Sequence, residues 1–156
     1  MRKRIYFDMF DGRGWPTPEE LQDYFLTSEG RRQSFGNYND SWGLTAEGVD
    51  GTEHMENLAG RVDIHLALVG NPDQGVLLQY RKWGGSLKET YYSRGDLSRL
   101  SERVITAHGD SMPAGLYVSF TKAWAATKEF IERDGALPLS IEWIASADLP
   151  KNTFPA

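Results

Sequence analysis

The sequence predicts an α+β fold in which a mainly antiparallel sheet, a meander of hairpins, carries an early helix and an amphipathic C-terminal helix. Strand-like segments follow one another through the middle of the chain and are separated by short turns rich in Gly and Asn. One helix signal precedes these segments and another follows them. A parallel, doubly wound sheet would instead alternate strand and helix signals along the chain, so it is not expected.

The first third of the chain predicts one strand and one helix. Residues 3–9 contain the run Ile-Tyr-Phe, which favours a strand. A capping-box pattern then marks the start of a helix, with an N-cap, a proline at the first helical position and a glutamate three residues after the cap: Thr17, Pro18 and Glu20. Apolar residues recur behind it with helical spacing, at Leu21, Tyr24 and Phe25. We expect this helix to end near Gly30.

The middle of the chain predicts a meander. Residues 31–60 lack a clear period and predict mostly loop, with Trp42-Gly43-Leu44 as a short strand. Polar and apolar residues then alternate, which predicts a strand. The expected strands are residues 61–68, 76–83 and 87–93, and the turns between them contain Asn71-Pro72 and Gly84-Gly85.

The C-terminal part predicts a short strand, a helix and a last strand. Residues 115–118 form the short strand, and Ser119 is placed to cap a helix from Phe120 to about Arg133. Gly135 is the expected C′ residue of that helix. Residues 140–144 predict the last strand and residues 149–156 a loose tail.

Length and composition indicate one globular domain over residues 1–156. Hydrophobic residues make up 40% of the chain, which is enough for a core. Because the chain has no cysteine, disulfides, thiolate nucleophiles and thiolate zinc sites are excluded, and a cytoplasmic location is expected. Asp8 and Asp11 interrupt the N-terminal apolar stretch, and no apolar run approaches the about twenty residues that cross a bilayer. We therefore expect neither an export signal nor a membrane role.

Acidic residues are concentrated in residues 34–75, where Arg61 is the only basic residue. The acids are Asp40, Glu47, Asp50, Glu53, Glu56, Asp63 and Asp73. Direct nucleic-acid binding needs a basic face, so it is not expected, and this segment favours a cationic protein partner. The alternative is a solvated acidic loop that serves only solubility.

Candidate catalytic residues are scattered. His54, His65 and His108 are far apart in the chain and share no metal-binding spacing, so neither a metal nor another cofactor is expected. Asp and Ser follow His108 within three residues, but neighbours in sequence cannot adopt the geometry of a hydrolytic triad. A small enzyme that uses Asp8, Asp11 or His108 in a cleft remains one alternative, and an adaptor domain without inhibitory function is another.

A resemblance to a known family lies in the last half of the chain. Residues 118–131 (VSFTKAWAATKEFI), followed by Gly135, Leu137-Pro138 and Ile141-Glu142-Trp143, resemble the closing element of the first-numbered immunity-protein family of bacterial polymorphic toxin and contact-dependent inhibition systems. Upstream, residues 75–80 and 90–92 are similar to the central strands of that family. The resemblance covers roughly residues 75–145.

The resemblance implies a protein that binds a co-encoded toxin, often a nuclease or a nucleic-acid deaminase, and blocks it in the producing cell. Toxins of this kind need a cationic substrate groove, to which an acidic patch is attracted. The expected toxin-facing residues are the acids Asp40, Glu47, Asp50, Glu53 and Glu56, with Trp42 as an aromatic anchor and Trp83, Tyr91 and Tyr92 as second-tier contacts. The alternative is that the aromatic residues belong to the core. No oligomeric state is predicted.

Overall fold

Consecutive hairpins build the sheet, as the sequence predicts. The computed structural model of the protein describes residues 1–36 and 39–154. Its long strands are β1 (Arg2–Tyr6), β2 (Ser41–Val49), β3 (Val62–Asn71), β4 (Gly75–Gly84) and β5 (Leu87–Ser93). Each pairs antiparallel with the next. The helices lie before and after this meander, so the α+β prediction is confirmed.

Four short strands complete the β-structure of the described ranges. They are β6 (Arg103–Ile105), β7 (Ser111–Pro113), β8 (Tyr117–Val118) and β9 (Trp143–Ala145). β9 pairs with β5 at one edge of the sheet, and β8 pairs with β4 beyond the end of β5. β6 and β7 form a separate hairpin. The last strand is therefore shorter than the predicted residues 140–144 and starts later.

Among the described residues, three helices pack on one face of the sheet: α1 (Pro18–Leu26), α2 (Ser28–Phe35) and α3 (Phe120–Glu132). The capping box of α1 is present, because the Glu20 N–H donates to Thr17 Oγ1 and the Thr17 N–H donates to Glu20 Oε1. The predicted end of α1 near Gly30 is wrong. Thr27 has extended backbone angles and its Oγ1 accepts the Gly30 N–H, so this residue ends α1 and caps α2.

The prediction of mostly loop for residues 31–60 is also wrong for much of the range. It misses α2, and its short strand at residues 42–44 covers only three of the nine residues of β2, which lies between β1 and β3. Most of β2 is buried on both faces, so its sequence does not alternate polar and apolar residues. Gly43 leaves room for a neighbouring ring, since a Cβ there would lie 2.6 Å from His65 Cε1. Residues 37 and 38 of that prediction lie outside the described residues.

The main core lies between the helices and the sheet and is rich in aromatic side chains. Phe25 is fully buried, and its ring contacts those of Phe35, Trp42 and Trp124 at centroid distances of 5.3 to 5.9 Å. Trp42 also stacks on Phe7 at 5.0 Å. These rings join α1 and α3 to β2, so burial of aromatic area holds the two layers together.

A smaller cluster covers part of the opposite face. It centres on Leu77, Leu116 and Tyr117 and includes residues from the β6–β7 hairpin. Thr153 is buried, and the Phe154 ring packs on Tyr92 at 4.9 Å. Residues 149–154 therefore contribute to this cluster rather than forming a loose tail, and residues 155 and 156 lie outside the described residues. The rest of this face stays open to solvent.

α3 ends in a Schellman motif that is shifted by one residue from the prediction. Asp134 occupies the C′ position with φ 52°, and Gly135 follows it with φ 90°. The Gly135 N–H donates to Phe130 O at 2.8 Å and the Asp134 N–H donates to Ile131 O at 3.4 Å. The Tyr80 hydroxyl donates to Gly135 O at 2.8 Å, and burial raises the pKa of Tyr80 to about 12. This bond ties the end of α3 to the sheet.

Candidate functional site

The acidic loop, residues 50–61, connects β2 to β3 at one end of the sheet. A register shift between Glu47 and Val49 directs the chain into it, and Asp50 takes a left-handed conformation with φ 55°. Thr52 fixes the loop, since its Oγ1 donates to Val49 O at 2.7 Å and accepts the Val62 N–H at 2.9 Å. The loop therefore has a defined conformation in which its carboxylates occupy fixed positions.

Three carboxylates of the acidic loop are exposed. Asp50 forms an ion pair with Lys82 at 2.8 Å, yet 60% of its side chain stays accessible. Glu53 pairs with the N-terminal ammonium of Met1, and the hydrogen bond and charge of that ammonium lower the pKa of Glu53. Glu56 is exposed as well. The loop thus presents negative charge at this end of the sheet, as the sequence predicts.

Beside this loop the surface forms an open concavity of about 750 Å³. Its lining includes the carboxylates of Asp50, Glu53 and Asp134, together with His54 and the N-terminal residue. Asp134 is brought there by the end of α3, and it also pairs with Lys3 at 2.5 Å. Three carboxylates from two separate parts of the chain, the acidic loop and the end of α3, therefore surround one concave surface.

Glu47 lies at the border of this region, on the open face of the sheet. Its carboxylate pairs with Arg2 at 2.9 Å and with Arg61 at 3.7 Å. Asp63, the cross-strand neighbour of Glu47, is buried with 4% of its side chain exposed. It accepts hydrogen bonds from Arg61 Nε and Nη2 at 2.9 and 3.0 Å and from the Gly48 N–H at 3.0 Å. Asp63 thus anchors both ends of the acidic loop.

Replacing Asp63 by Ala is expected to lower the free energy of unfolding by about 1–3 kcal/mol, because it leaves the Gly48 N–H and the Arg61 guanidinium without their acceptor. Asp63→Asn keeps one acceptor oxygen and is expected to lose less. Urea unfolding at pH 7 measures both. Equal stability of the Ala variant and the wild type would show that this network does not support the loop.

Two predicted surface residues are buried. Trp42 faces the helices and is 5% exposed, and its ring stacks between those of Phe7 and Phe35. Asp40 is 6% exposed, and its Oδ2 accepts the Ala107 N–H from the loop between β6 and β7. The expectation that these two side chains are exposed is therefore wrong. Trp42 belongs to the core, and Asp40 fixes a neighbouring loop.

The three second-tier aromatic residues lie on both faces of the sheet and differ in how far they are covered. Trp83 is half-buried on the open face, with the Arg81 guanidinium 5.1 Å from its ring centroid. Tyr92 points to the same face, but Phe154 covers its ring and its hydroxyl accepts from Gln79 Nε2. Tyr91 packs at the edge of the main core instead. Only Trp83 joins the exposed surface that borders the acidic loop.

The open face carries basic residues that the sequence analysis did not single out. Strand register places these basic residues in two rows that run across the sheet. The first row is Arg2, Glu47, Asp63, Trp83 and Lys88, and the second is Arg4, Thr45, His65, Arg81 and Thr90. Their signal was the polar half of the alternation in β1, β3, β4 and β5. In the second row His65 Nδ1 lies 2.9 Å from Thr45 Oγ1, and burial, with a smaller contribution from Arg81, lowers the pKa of His65.

The candidate catalytic residues have other contacts. Asp8 accepts from the Asn39 side-chain amide, and Asp11 accepts the Arg13 N–H at 3.0 Å. His108 is exposed between β6 and β7. Residues 1–36 and 39–154 contain no group of three or more His, Cys, Asp or Glu side chains suited to a metal ion. Within the same ranges, every helix is too short or too polar to cross a membrane.

Comparison with protein families finds a match over most of the chain. The family model described as Immunity protein Imm1 matches residues 6–145. No curated protein and no solved structure matches the chain. The matched range contains β2 to β9 and all three helices, so it extends well beyond the residues that carry the resemblance in the sequence.

Proposed function

Because the chain belongs to the Imm1 family of immunity proteins, we propose that it binds a cognate bacterial toxin and neutralises it. The mechanism is stoichiometric protein–protein contact, without a cofactor and without chemistry on the toxin. The family match over residues 6–145 is the observation that carries this proposal. The protein acts in the cytoplasm of the cell that makes the toxin, within a polymorphic toxin or contact-dependent growth inhibition system.

The chemistry of the acidic loop supports a particular class of toxin. A nuclease or a nucleic-acid deaminase presents a cationic groove to phosphate groups. The exposed carboxylates of Asp50, Glu53 and Glu56 are attracted to such a groove and occupy the positions of phosphates there. The toxin is therefore an enzyme that acts on nucleic acid, and the acidic loop enters or covers its substrate groove.

The ion pairs of the loop are compatible with this function. In the pairs of Asp50 and Glu53 the carboxylate is 59 to 60% exposed, whereas its cationic partner is 24 to 25% exposed. Ion pairs whose carboxylate is this exposed contribute little to stability, because water also solvates the carboxylate. A cationic toxin residue can therefore replace Lys82 or the Met1 ammonium at small cost. The carboxylates are held in place and stay available.

The proposed toxin-binding surface is smaller than the one expected from the sequence. It consists of Asp50, Glu53 and Glu56, with Glu47 and Trp83 at its border. Trp83 offers a partly exposed ring of the kind that concentrates binding energy at interfaces. Tyr91 and Tyr92 remain second-tier contacts, since their rings are partly covered.

Co-expression tests the proposed function. The partner to test is the C-terminal domain of a large secreted protein, where one is encoded beside this chain. Cells that make this domain alone are expected to stop growing, whereas cells that also make the chain are expected to grow. The two proteins are expected to co-purify. Growth arrest despite soluble chain, with no complex recovered, would overturn the proposal.

A further inference from the structure

The open face of the sheet is basic, although the chain as a whole is acidic. In the described structure, this face carries the cations Arg2, Arg4, Arg61, Arg81 and Lys88 and the carboxylates Glu47 and Asp63. Both carboxylates are engaged in ion pairs with Arg2 or Arg61. The face therefore has a surplus of three positive charges in a chain of net charge −5. Positive and negative charge are segregated on the surface.

The surplus positive charge of the open face is centred on two arginines. Arg4 and Arg81 are exposed in the same row, separated by Thr45 and His65. Neither forms an ion pair with a carboxylate among the residues that the structure describes. A groove beside β1, of about 670 Å³, continues the basic surface. Its charged lining residues are four cations and one carboxylate: Arg2, Lys3, Arg4, Arg13 and Asp11.

Aromatic side chains lie among these cations. Tyr6 at the end of β1 is 58% exposed. Trp83 is partly exposed, and the Arg81 guanidinium stacks on it. Arg, Tyr and Trp are the residues that carry most binding energy in protein interfaces. The face therefore combines positive charge with the side chains typical of a protein-binding surface.

The basic face and the acidic loop meet at the same end of the sheet. Arg2 follows Met1, whose ammonium pairs with Glu53 of the loop. Glu47, in the same row as Arg2 and Trp83, lies three residues before Asp50. A toxin that places its groove on the acidic loop therefore also lies against the first row of the basic face. A cationic toxin surface at that point would be repelled, because like charges in an interface are strongly unfavourable.

From this adjacency we infer that the open face binds an anionic surface of the same toxin, next to its cationic groove. The inference rests on the proposed function and adds a second contact of opposite charge. Two contacts of opposite sign fix the orientation of the complex, since rotating the toxin would place like charges together. They also explain why this face of the sheet is not covered by a helix.

Charge reversal on the basic face tests the inference. Arg4→Glu with Arg81→Glu is expected to weaken binding of the co-encoded toxin domain by about tenfold or more, measured by calorimetry at low salt. Lys122→Glu with Lys128→Glu, on exposed positions of α3, makes the same change in net charge and is the matched control. The control is expected to bind like the wild type. Arg4→Gln with Arg81→Gln is expected to lose less affinity, and it replaces the Glu variant if thermal melting shows that the Glu variant is unfolded.

The outcomes separate the two proposals. If the wild type does not bind the toxin domain, both fail. If the wild type binds and the Arg4 and Arg81 variants behave like the control, only the present inference fails. A labelled single-stranded RNA of about 20 nucleotides is titrated in parallel in the same low-salt buffer. RNA binding that the Arg4 and Arg81 reversal abolishes, with toxin binding unchanged, would assign the face to nucleic acid and overturn the inference.

Discussion

Replacing Asp50, Glu53 and Glu56 together by Lys is expected to weaken toxin binding by about a hundredfold or more, mainly through a slower association rate. The three carboxylates are exposed at one end of the sheet, so reversal turns an attractive surface into a repulsive one. The dependence of affinity on salt concentration is expected to weaken as well, because the attraction that salt screens is lost. Association and dissociation rates at two or more salt concentrations measure both effects.

A matched variant separates this local effect from a change in total charge. Asp73, Glu102 and Asp110 are exposed acids on the β3–β4 turn and around the β6–β7 hairpin, away from the acidic loop. Reversing these three gives the same net charge and is expected to leave affinity close to that of the wild type. Equal weakening by both triple variants would remove the acidic loop from the interface.

Replacing Trp42 by Ala is expected to lower the free energy of unfolding by about 3–5 kcal/mol, because it empties a large volume in the aromatic core. The Trp42 ring packs against Phe7, Phe25 and Phe35, and these neighbours cannot collapse fully into the space. Chemical denaturation followed by circular dichroism measures the loss. Any fall in toxin binding should follow the fraction of unfolded protein.

Trp83 provides the control for this prediction. Its ring lies half-exposed on the open face, so Trp83→Ala is expected to cost less stability than Trp42→Ala and to weaken toxin binding directly. If Trp42→Ala were as stable as the wild type and bound the toxin poorly, Trp42 would be a surface contact and its position in the core would be wrong.

Local signals in the sequence predicted the parts of the fold that depend on local chemistry. The Thr17 cap, the Ser119 cap and the strands β3 to β5 all appear where their patterns indicate. A capping box is a set of hydrogen bonds within four residues, and the alternation in β3 reflects one covered face and one more accessible face. Neither requires knowledge of the rest of the chain.

Tertiary context decided the parts that the sequence did not predict. β2 is buried on both faces, so its pattern lacks the period of a half-exposed strand. α2 begins at the cap Thr27, directly behind α1, so the two read as one helix that ends late. Whether Trp42 points to the helices or to solvent depends on which face of β2 the helices cover, and the sequence of β2 does not contain that information.

The candidate site shows the same division. The concentration of acids in residues 50–56 was visible in the sequence, and the structure places these carboxylates at one end of the sheet. The basic face was not visible as a unit, because Arg2, Arg4, Arg81 and Lys88 come from three strands and meet only through strand register. Charge counted along the chain cannot detect charge assembled across a sheet.

Titration of toxin activity with the purified chain distinguishes stoichiometric inhibition from catalysis. A fixed amount of the toxin domain is mixed with increasing amounts of the chain, and the remaining activity on nucleic acid is measured. A tight stoichiometric inhibitor abolishes activity at one equivalent, and longer incubation does not change the end point. Progressive inactivation by much less than one equivalent would show that the chain acts as a catalyst and would contradict the account.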